Sequence, residues 1–191
     1  MKAINYRATP AYYDAENERH DMLREDVPFF LGQLPRGKRL RILELACGTA
    51  RAAMIEKLFP LADLVTPNIP EAERIAKMKI ASAADLERAA AVMRSMGARN
   101  VLIKGGHQKA DGKNTKARDY LYIGDEVTIF EAEFIETSAT HGTGCTLAAA
   151  IAANLALGKD LTEAVKIAKD FVTEAIRTAP NIGKGNSPIN I

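Results

Sequence analysis

Residues 140–146 carry the strongest chemical signal in the sequence, with two glycines and a cysteine in the run Thr-His-Gly-Thr-Gly-Cys-Thr. An Ala-rich helical pattern follows directly. Gly142 and Gly144 let the backbone approach an anion, and a helix start offers unpaired N–H groups and a partial positive charge. Cys145, beside them, could act as a base or a nucleophile. The spacing alone leaves two interpretations open, an anion site or a tight turn with a buried cysteine.

The elements that must position this turn are predicted to alternate between strands and helices along the chain. The patterns predict strands over residues 40–45, 61–67 and 100–104, and a hairpin over residues 120–123 and 127–130. They predict helices over residues 50–59, from Pro70, from Ser82 to Gly97, and over residues 142–158 and 161–179. The polar residues 106–118 are predicted to form a loop. Such alternation predicts an α/β fold, a three-layer α/β/α sandwich whose mostly parallel sheet includes an antiparallel hairpin.

Composition excludes several classes of protein. The chain has 191 residues, 47% of them hydrophobic, and a formal net charge of +2. That excess is too small to favour nucleic acid binding, and no apolar run approaches the ~18 residues that span a bilayer. Two cysteines, Cys47 and Cys145, fit reduced thiols better than a disulfide framework. We therefore expect a cytoplasmic protein that binds neither nucleic acid nor a membrane.

Two further groups of residues bear on metals and on assembly. The histidines lie in different predicted elements without the spacing of metal ligands, so we predict no metal site: His20, His107 and His141. An apolar patch left exposed near the N-terminus would favour a homodimer. Its aromatic members are Tyr12, Tyr13, Phe29 and Phe30.

Four motifs after residue 54 occur in the order seen in one enzyme family. They are Leu-Ala-Asp-Leu-Val-Thr-Pro-Asn-Ile-Pro-Glu-Ala-Glu (61–73), Val-Leu-Ile-Lys-Gly-Gly-His (101–107), the run that starts at Thr140, and Gly-Lys-Gly-Asn-Ser-Pro-Ile-Asn (183–190). Together they resemble the C-terminal part of the hydroxymethylpyrimidine (phosphate) kinases of thiamine biosynthesis. The resemblance implies a ribokinase-like fold that uses ATP and Mg²⁺ with a small-molecule substrate.

The resemblance also implies roles for individual residues. The turn formed by Gly142, Thr143 and Gly144 would be the anion hole for the transferring phosphoryl group, with Cys145 near the substrate hydroxyl. Asn68 and Glu71 would lie near the metal and phosphates, and Lys104 would approach the nucleotide phosphates. These roles suit phosphoryl transfer, which needs positioning and charge stabilisation. The alternative for Lys104 and Glu71 is an ordinary exposed charge at the end of an element.

Residues 1–53 resemble a different family, the class I S-adenosylmethionine-dependent methyltransferases. The similar segment is Arg-Ile-Leu-Glu-Leu-Ala-Cys-Gly-Thr-Ala (41–50), in which Glu44, Ala46 and Gly48 fit the cofactor-binding turn. Ala50 stands where that family usually has a further glycine, and no acid ends the following strand. S-adenosylmethionine is therefore the less favoured ligand.

These two resemblances lead to a composite interpretation. We predict a single domain over residues 1–191, with a methyltransferase-like segment (1–53) joined to a ribokinase-like segment (54–191). The strand over residues 40–45 should pair beside the strand that contains Leu64. The favoured function is an engineered or recombined chimeric protein without full catalytic activity, which retains an ATP or phosphate site with a vestigial Cys145. The alternatives are an S-adenosylmethionine-binding remnant and an active phosphomethylpyrimidine kinase.

Overall fold

The computed structural model describes residues 42–43, 55, 57–106, 116–180 and 187–190. The strands are β1 (Ile42–Leu43), β2 (Leu64–Val65), β3 (Asn100–Lys104), β4 (Lys116–Ile123) and β5 (Glu126–Glu133). The helices are α1 (Ile69–Ala76), α2 (Ala83–Ser95), α3 (Thr143–Ala156) and α4 (Leu161–Arg177), with a short 3₁₀ helix at Phe59–Leu61. None of the helices in these ranges is long and apolar enough to cross a membrane.

The five strands form one sheet in the order β1-β2-β3-β4-β5. The β1–β2 and β2–β3 pairs are parallel, and the β3–β4 and β4–β5 pairs are antiparallel. The predicted α/β class with its hairpin is confirmed, and the described sheet is mixed. Ile42 pairs with Leu64, so the first strand lies where the sequence placed it.

Successive strand residues point to opposite faces of the sheet, and both faces are covered. Val101 and Ile103 pack with α1 and α2 in one core cluster, whereas Leu102 packs with α3 and α4 in the other. All three side chains are fully buried. Because a strand side chain points to the opposite face from its neighbour, two helical layers enclose one sheet, as the three-layer prediction requires.

Helix starts follow the sequence closely. Ser82 caps α2 through a capping box with Asp85, as predicted, and Asp160 caps α4 by accepting a hydrogen bond from the Glu163 N–H. Side-chain oxygens at these positions satisfy N–H groups that the helix itself leaves unpaired. The entry points of the helices are thus fixed locally.

Several boundaries differ from the prediction. The strand predicted over residues 61–67 is shorter, Leu64–Val65, and Leu61 belongs to the 3₁₀ helix. β4 begins at Lys116, inside the predicted loop over residues 106–118. The polar start of this strand is stabilised by its partner, since Lys116 and Arg118 both form ion pairs with Glu131 on β5. At the end of the helix predicted over residues 50–59, Phe59 belongs to a 3₁₀ helix that contains Pro60; residues 50–54 lie outside the described residues.

Candidate functional site

A cavity of about 630 Å³ opens where β2 and β3 end and α3 begins. Its lining includes every residue that the kinase resemblance singled out: Asn68, Glu71, Lys104, Gly142, Thr143, Gly144 and Cys145. The carboxyl ends of neighbouring parallel strands meet at one edge of a sheet, which is where α/β proteins commonly bind ligands. Residues far apart in the sequence therefore converge on one space.

Asn68 and Glu71 share a capping box at the start of α1. The Glu71 N–H donates to Asn68 Oδ1 at 2.8 Å, and the Asn68 N–H donates to Glu71 Oε2 at the same distance. Asn68 also forms a parallel bridge with Lys104, whose N–H donates to the Pro67 carbonyl at 2.8 Å. The two polar side chains and the lysine are thus held at adjacent strand ends.

The glycine turn leads into α3 without a side-chain cap. Gly142 has φ +90°, in the left-handed region, and it precedes the first helical residue, Thr143. The Thr143 hydroxyl donates to the Thr140 carbonyl at 3.0 Å, which braces the turn. Cys145 is exposed on the cavity side. The helix start therefore presents its partial positive charge to the cavity. The alternative of a tight turn with a buried cysteine is wrong, because Cys145 is exposed.

The last described segment of the chain pairs with the residue before this turn. His141 forms a parallel bridge with Pro188, and the Asn190 N–H donates to the Ala175 carbonyl of α4 at 3.0 Å. Ser187 and Ile189 are both buried. Residues 187–190, the described part of the tail motif, thus pack against the turn.

The cavity wall also holds an ion pair that the sequence interpretation missed. Lys169 Nζ on α4 lies 2.6 Å from Asp119 Oδ2 on β4, and the two side chains are only 8% and 10% exposed. A signal was present, because Lys169 falls on the apolar stripe of α4 between the buried Val165 and the half-buried Val172. A charge on such a stripe indicates a buried partner.

The donor atoms at the site suit a cation that shares its coordination with phosphate. Within the described residues, no group of three or more His, Cys, Asp or Glu side chains could hold a metal ion. Glu71 and Asn68 nevertheless supply a carboxylate and an amide at the cavity. Mg²⁺ is usually bound by one or two carboxylates together with substrate phosphates and water, so these two residues fit that ion in a nucleotide complex.

A sequence model described as phosphomethylpyrimidine kinase matches residues 43–190, most of the chain. The chain belongs to the phosphomethylpyrimidine kinase family. This family member is 43% identical over 143 residues to the hydroxymethylpyrimidine/phosphomethylpyrimidine kinase of Haemophilus influenzae, covering 74% of this chain and 52% of the relative. It is 44% identical over 177 residues to the enzyme of the same name from Staphylococcus aureus strain Mu50, covering 92% and 62%. The chain thus spans about half to three fifths of the length of these curated relatives.

Solved structures share the fold of this family member. An ADP complex of Bacillus subtilis pyridoxal kinase matches with a TM-score of 0.70 and 34% identity, covering 78% of this chain and 59% of that one. The Staphylococcus aureus pyridoxal kinase in complex with AMP-PCP and pyridoxal matches with a TM-score of 0.67 and 38% identity, covering 72% and 51%. The predicted ribokinase-like relationship is therefore supported by structure as well as by sequence.

These matches correct the composite interpretation. The favoured prediction, a chimeric protein, is wrong, because the kinase family model matches residues 43–190 and the Haemophilus influenzae kinase matches 74% of the chain. The family match begins at Leu43, before the predicted junction at Met54. The Staphylococcus aureus match leaves only about 15 residues of this chain uncovered, so it includes most of residues 1–53.

The methyltransferase segment finds no support in these comparisons. A short strand followed by a glycine turn is common to many parallel sheets. This local pattern therefore predicts a secondary-structure element but does not identify a family. The candidate cofactor residues Glu44, Ala46 and Gly48 lie outside the described residues, as do the aromatic residues on which the homodimer prediction rests. The homodimer stays a prediction.

Proposed function

We propose that this chain transfers the γ-phosphoryl group of ATP to the hydroxymethyl group of a pyrimidine, as its hydroxymethylpyrimidine/phosphomethylpyrimidine kinase relatives are named for doing. One observation carries the proposal. The capping pair Asn68 and Glu71, the strand-end Lys104, and the glycine turn with Cys145 all line the same cavity. Each supplies something that phosphoryl transfer requires.

The chemistry of the step assigns a task to each group. Phosphoryl transfer depends on positioning and on stabilising the charge on the phosphoryl oxygens. Backbone N–H groups at the start of α3 would donate hydrogen bonds to those oxygens, and the Lys104 ammonium would hold the nucleotide phosphates. The Cys145 thiolate would take the proton of the substrate hydroxyl while the hydroxyl oxygen forms the new bond to phosphorus and the bond from phosphorus to the ADP oxygen breaks. The exposure of Cys145 gives that proton a route to solvent.

A bound Mg²⁺ ion would neutralise phosphate charge in this site. Glu71 and Asn68 would hold it, since they offer the carboxylate and amide oxygens that this ion prefers. Their capping box keeps both side chains at the N-terminus of α1. The structure therefore provides a preorganised pair of oxygen donors beside Lys104.

The test is phosphorylation of 4-amino-5-hydroxymethyl-2-methylpyrimidine by the purified chain with ATP and Mg²⁺, followed by phosphorus NMR. We expect a phosphate monoester, and a loss of at least about a hundredfold in turnover for Cys145→Ala, as is usual when a general base is removed. Gly158→Ala, at the far end of α3, is the matched control. A folded chain that consumes no ATP in the presence of the pyrimidine would disprove the proposal.

Pyridoxal is a second candidate substrate. The observation that favours it is structural, since two pyridoxal kinases match with TM-scores of 0.70 and 0.67. Pyridoxal also carries a hydroxymethyl group on a six-membered nitrogen ring, so the same transfer chemistry applies. The ratio of kcat/KM for the two alcohols in one assay decides between them. We expect the pyrimidine to give the higher value.

A further inference from the structure

The buried ion pair between Asp119 and Lys169 is not explained by stability alone. Removing two charges from water costs more free energy than an isolated pair commonly returns, so apolar residues of similar size would often serve the fold as well. Asp119 and Lys169 nevertheless form a 2.6 Å contact in the wall of the cavity that the kinase site uses. The position of the pair points to a role in that site.

Asp119 makes a second contact that leads to the phosphate-binding lysine. Its Oδ1 accepts a hydrogen bond from the Gly105 N–H at 3.0 Å, while Oδ2 faces Lys169. Gly105 follows Lys104, the last residue of β3. The carboxylate therefore connects α4 to the end of β3.

Gly105 lies so close to β4 that no other residue fits without movement. A Cβ atom at this position would lie 2.4 Å from the Arg118 carbonyl oxygen, which itself accepts from the Gly105 N–H at 2.9 Å. One N–H is thus shared between the Arg118 carbonyl and the Asp119 carboxylate. The backbone on the carboxyl side of Lys104 is fixed against β4 by these contacts.

Lys104 is held from its other side as well. Its N–H donates to the Pro67 carbonyl, and the register pairs Lys104 with Asp119. The direction of a lysine side chain at a strand end follows from the backbone that carries it. Fixing both neighbouring peptide groups therefore fixes the point and direction from which the flexible lysine side chain leaves the backbone.

The positive charge of Lys169 offsets the negative charge of the Asp119 carboxylate. An unpaired carboxylate in a water-poor wall repels a nucleotide whose phosphates carry several negative charges, and it also attracts the nearby Lys104. Lys169 neutralises Asp119 and holds it in the orientation that receives the Gly105 N–H. The acceptor is thereby retained without an excess negative charge beside the anion site.

We propose that Asp119 and Lys169 are positioning residues of the phosphate site: Asp119 holds the backbone that follows Lys104 through the Gly105 N–H, and Lys169 offsets the charge of that carboxylate. This inference rests on the proposed function for the identity of its ligand, ATP. It concerns nucleotide affinity rather than the choice of alcohol. Neither residue needs to touch the reacting atoms.

The test measures ATP–Mg²⁺ affinity by titration calorimetry, together with KM and kcat, in four variants of the full chain. Lys169→Met leaves the carboxylate unpaired and should weaken ATP binding at least about tenfold, with a larger effect on KM than on kcat. The double variant Asp119→Asn/Lys169→Met keeps an oxygen acceptor without charge and should bind within about threefold of the wild type. Asp119→Ala/Lys169→Met is also neutral but lacks the acceptor, and should again lose about tenfold. Lys159→Met, which removes a lysine from an exposed ion pair with Glu163 outside the cavity lining, is the control.

If the ion pair served only the stability of the fold, the variants would have lower melting temperatures, but their ATP affinities would not follow the predicted order. Equal ATP affinity in the two double variants would overturn the proposal, as would unchanged affinity in a folded Lys169→Met protein. If Lys169→Met alone does not fold, the comparison of the two double variants still decides. A wild-type chain that binds ATP but phosphorylates neither alcohol would refute only the proposed function, because the affinity ratios would still test the pair.

Discussion

The carbonyl oxygen of Ser187 accepts a hydrogen bond from the His141 N–H at 3.2 Å, which ties the C-terminal segment to the residue before the glycine turn. The His141 carbonyl in turn accepts from the Ile189 N–H at 3.4 Å. Both backbone groups of His141 are therefore engaged by the tail. Because Gly142 follows immediately, the tail restrains the point at which the chain enters the glycine turn.

Deleting residues 187–191 is expected to lower kcat/KM by about tenfold, because the turn loses both restraints while the sheet stays intact. Deleting only residues 190–191 is the control, since the two hydrogen bonds of His141 remain. Steady-state kinetics with circular dichroism distinguishes the two truncations. Equal activity in both would show that the tail does not support the turn.

Gly142→Ala should impair catalysis through the backbone rather than through a clash. Gly142 and Gly158 have φ values of +90° and +86°, and an added Cβ would meet nothing within 4 Å at either position. Alanine at each should therefore cost a similar amount of stability, about 1–2 kcal/mol. Only Gly142→Ala should reduce phosphoryl transfer, because only that strain acts on the anion turn. Urea unfolding and kinetic assays on both variants check this, and equal losses of activity would contradict it.

The capping box at Asn68 allows its structural and chemical roles to be separated. Asn68→Ala and Ser82→Ala each remove the cap of one helix and should each lower the free energy of unfolding by about 1 kcal/mol. Only Asn68→Ala should also raise the Mg²⁺ concentration needed for half-maximal activity. Glu71→Gln keeps a side chain that can complete the box, so its activity should fall with little change in stability. Unchanged Mg²⁺ dependence in both site variants would exclude them as ligands.

Features that depend only on residues close together in the sequence could be predicted. The Ser82–Asp85 box, strand β3 and the hairpin depend on patterns a few residues long, and the structure reproduces them. The grouping of Asn68, Lys104 and the glycine turn around one cavity was implied by the kinase resemblance and not by any local pattern.

Contacts between distant parts of the chain could not be predicted in this way. Asp119 and Lys169 are 50 residues apart, and only the packing of α4 on β4 brings them together. The start of β4 at Lys116 was missed for the same reason, because its polar residues become a strand only when paired with β5. Family membership was misjudged at Glu44 and Gly48, where a short local motif common to several folds was taken as evidence of ancestry.

Tyr122 provides a pH-dependent test of the packing between the sheet and α2. Burial, assisted by the nearby charge of Glu87, raises the pKa of Tyr122 from 10 to about 12. Below pH 10 the phenol is neutral in both the folded and unfolded chain. Between pH 10 and about 12 the unfolded chain loses this proton and the folded chain keeps it, so the stability that depends on the neutral phenol is lost as pH rises.

Tyr122→Phe removes this titration and should flatten the decline of the unfolding free energy over that interval by about 1–2 kcal/mol relative to the wild type. Tyr120→Phe, on the same strand but only half-buried, is the matched control and should leave the wild-type decline largely in place. Urea unfolding at pH 9, 10, 11 and 12 measures the difference. Parallel curves for the wild type and Tyr122→Phe would mean that the phenol reaches water in the folded chain, and that α2 does not seal this face of the sheet.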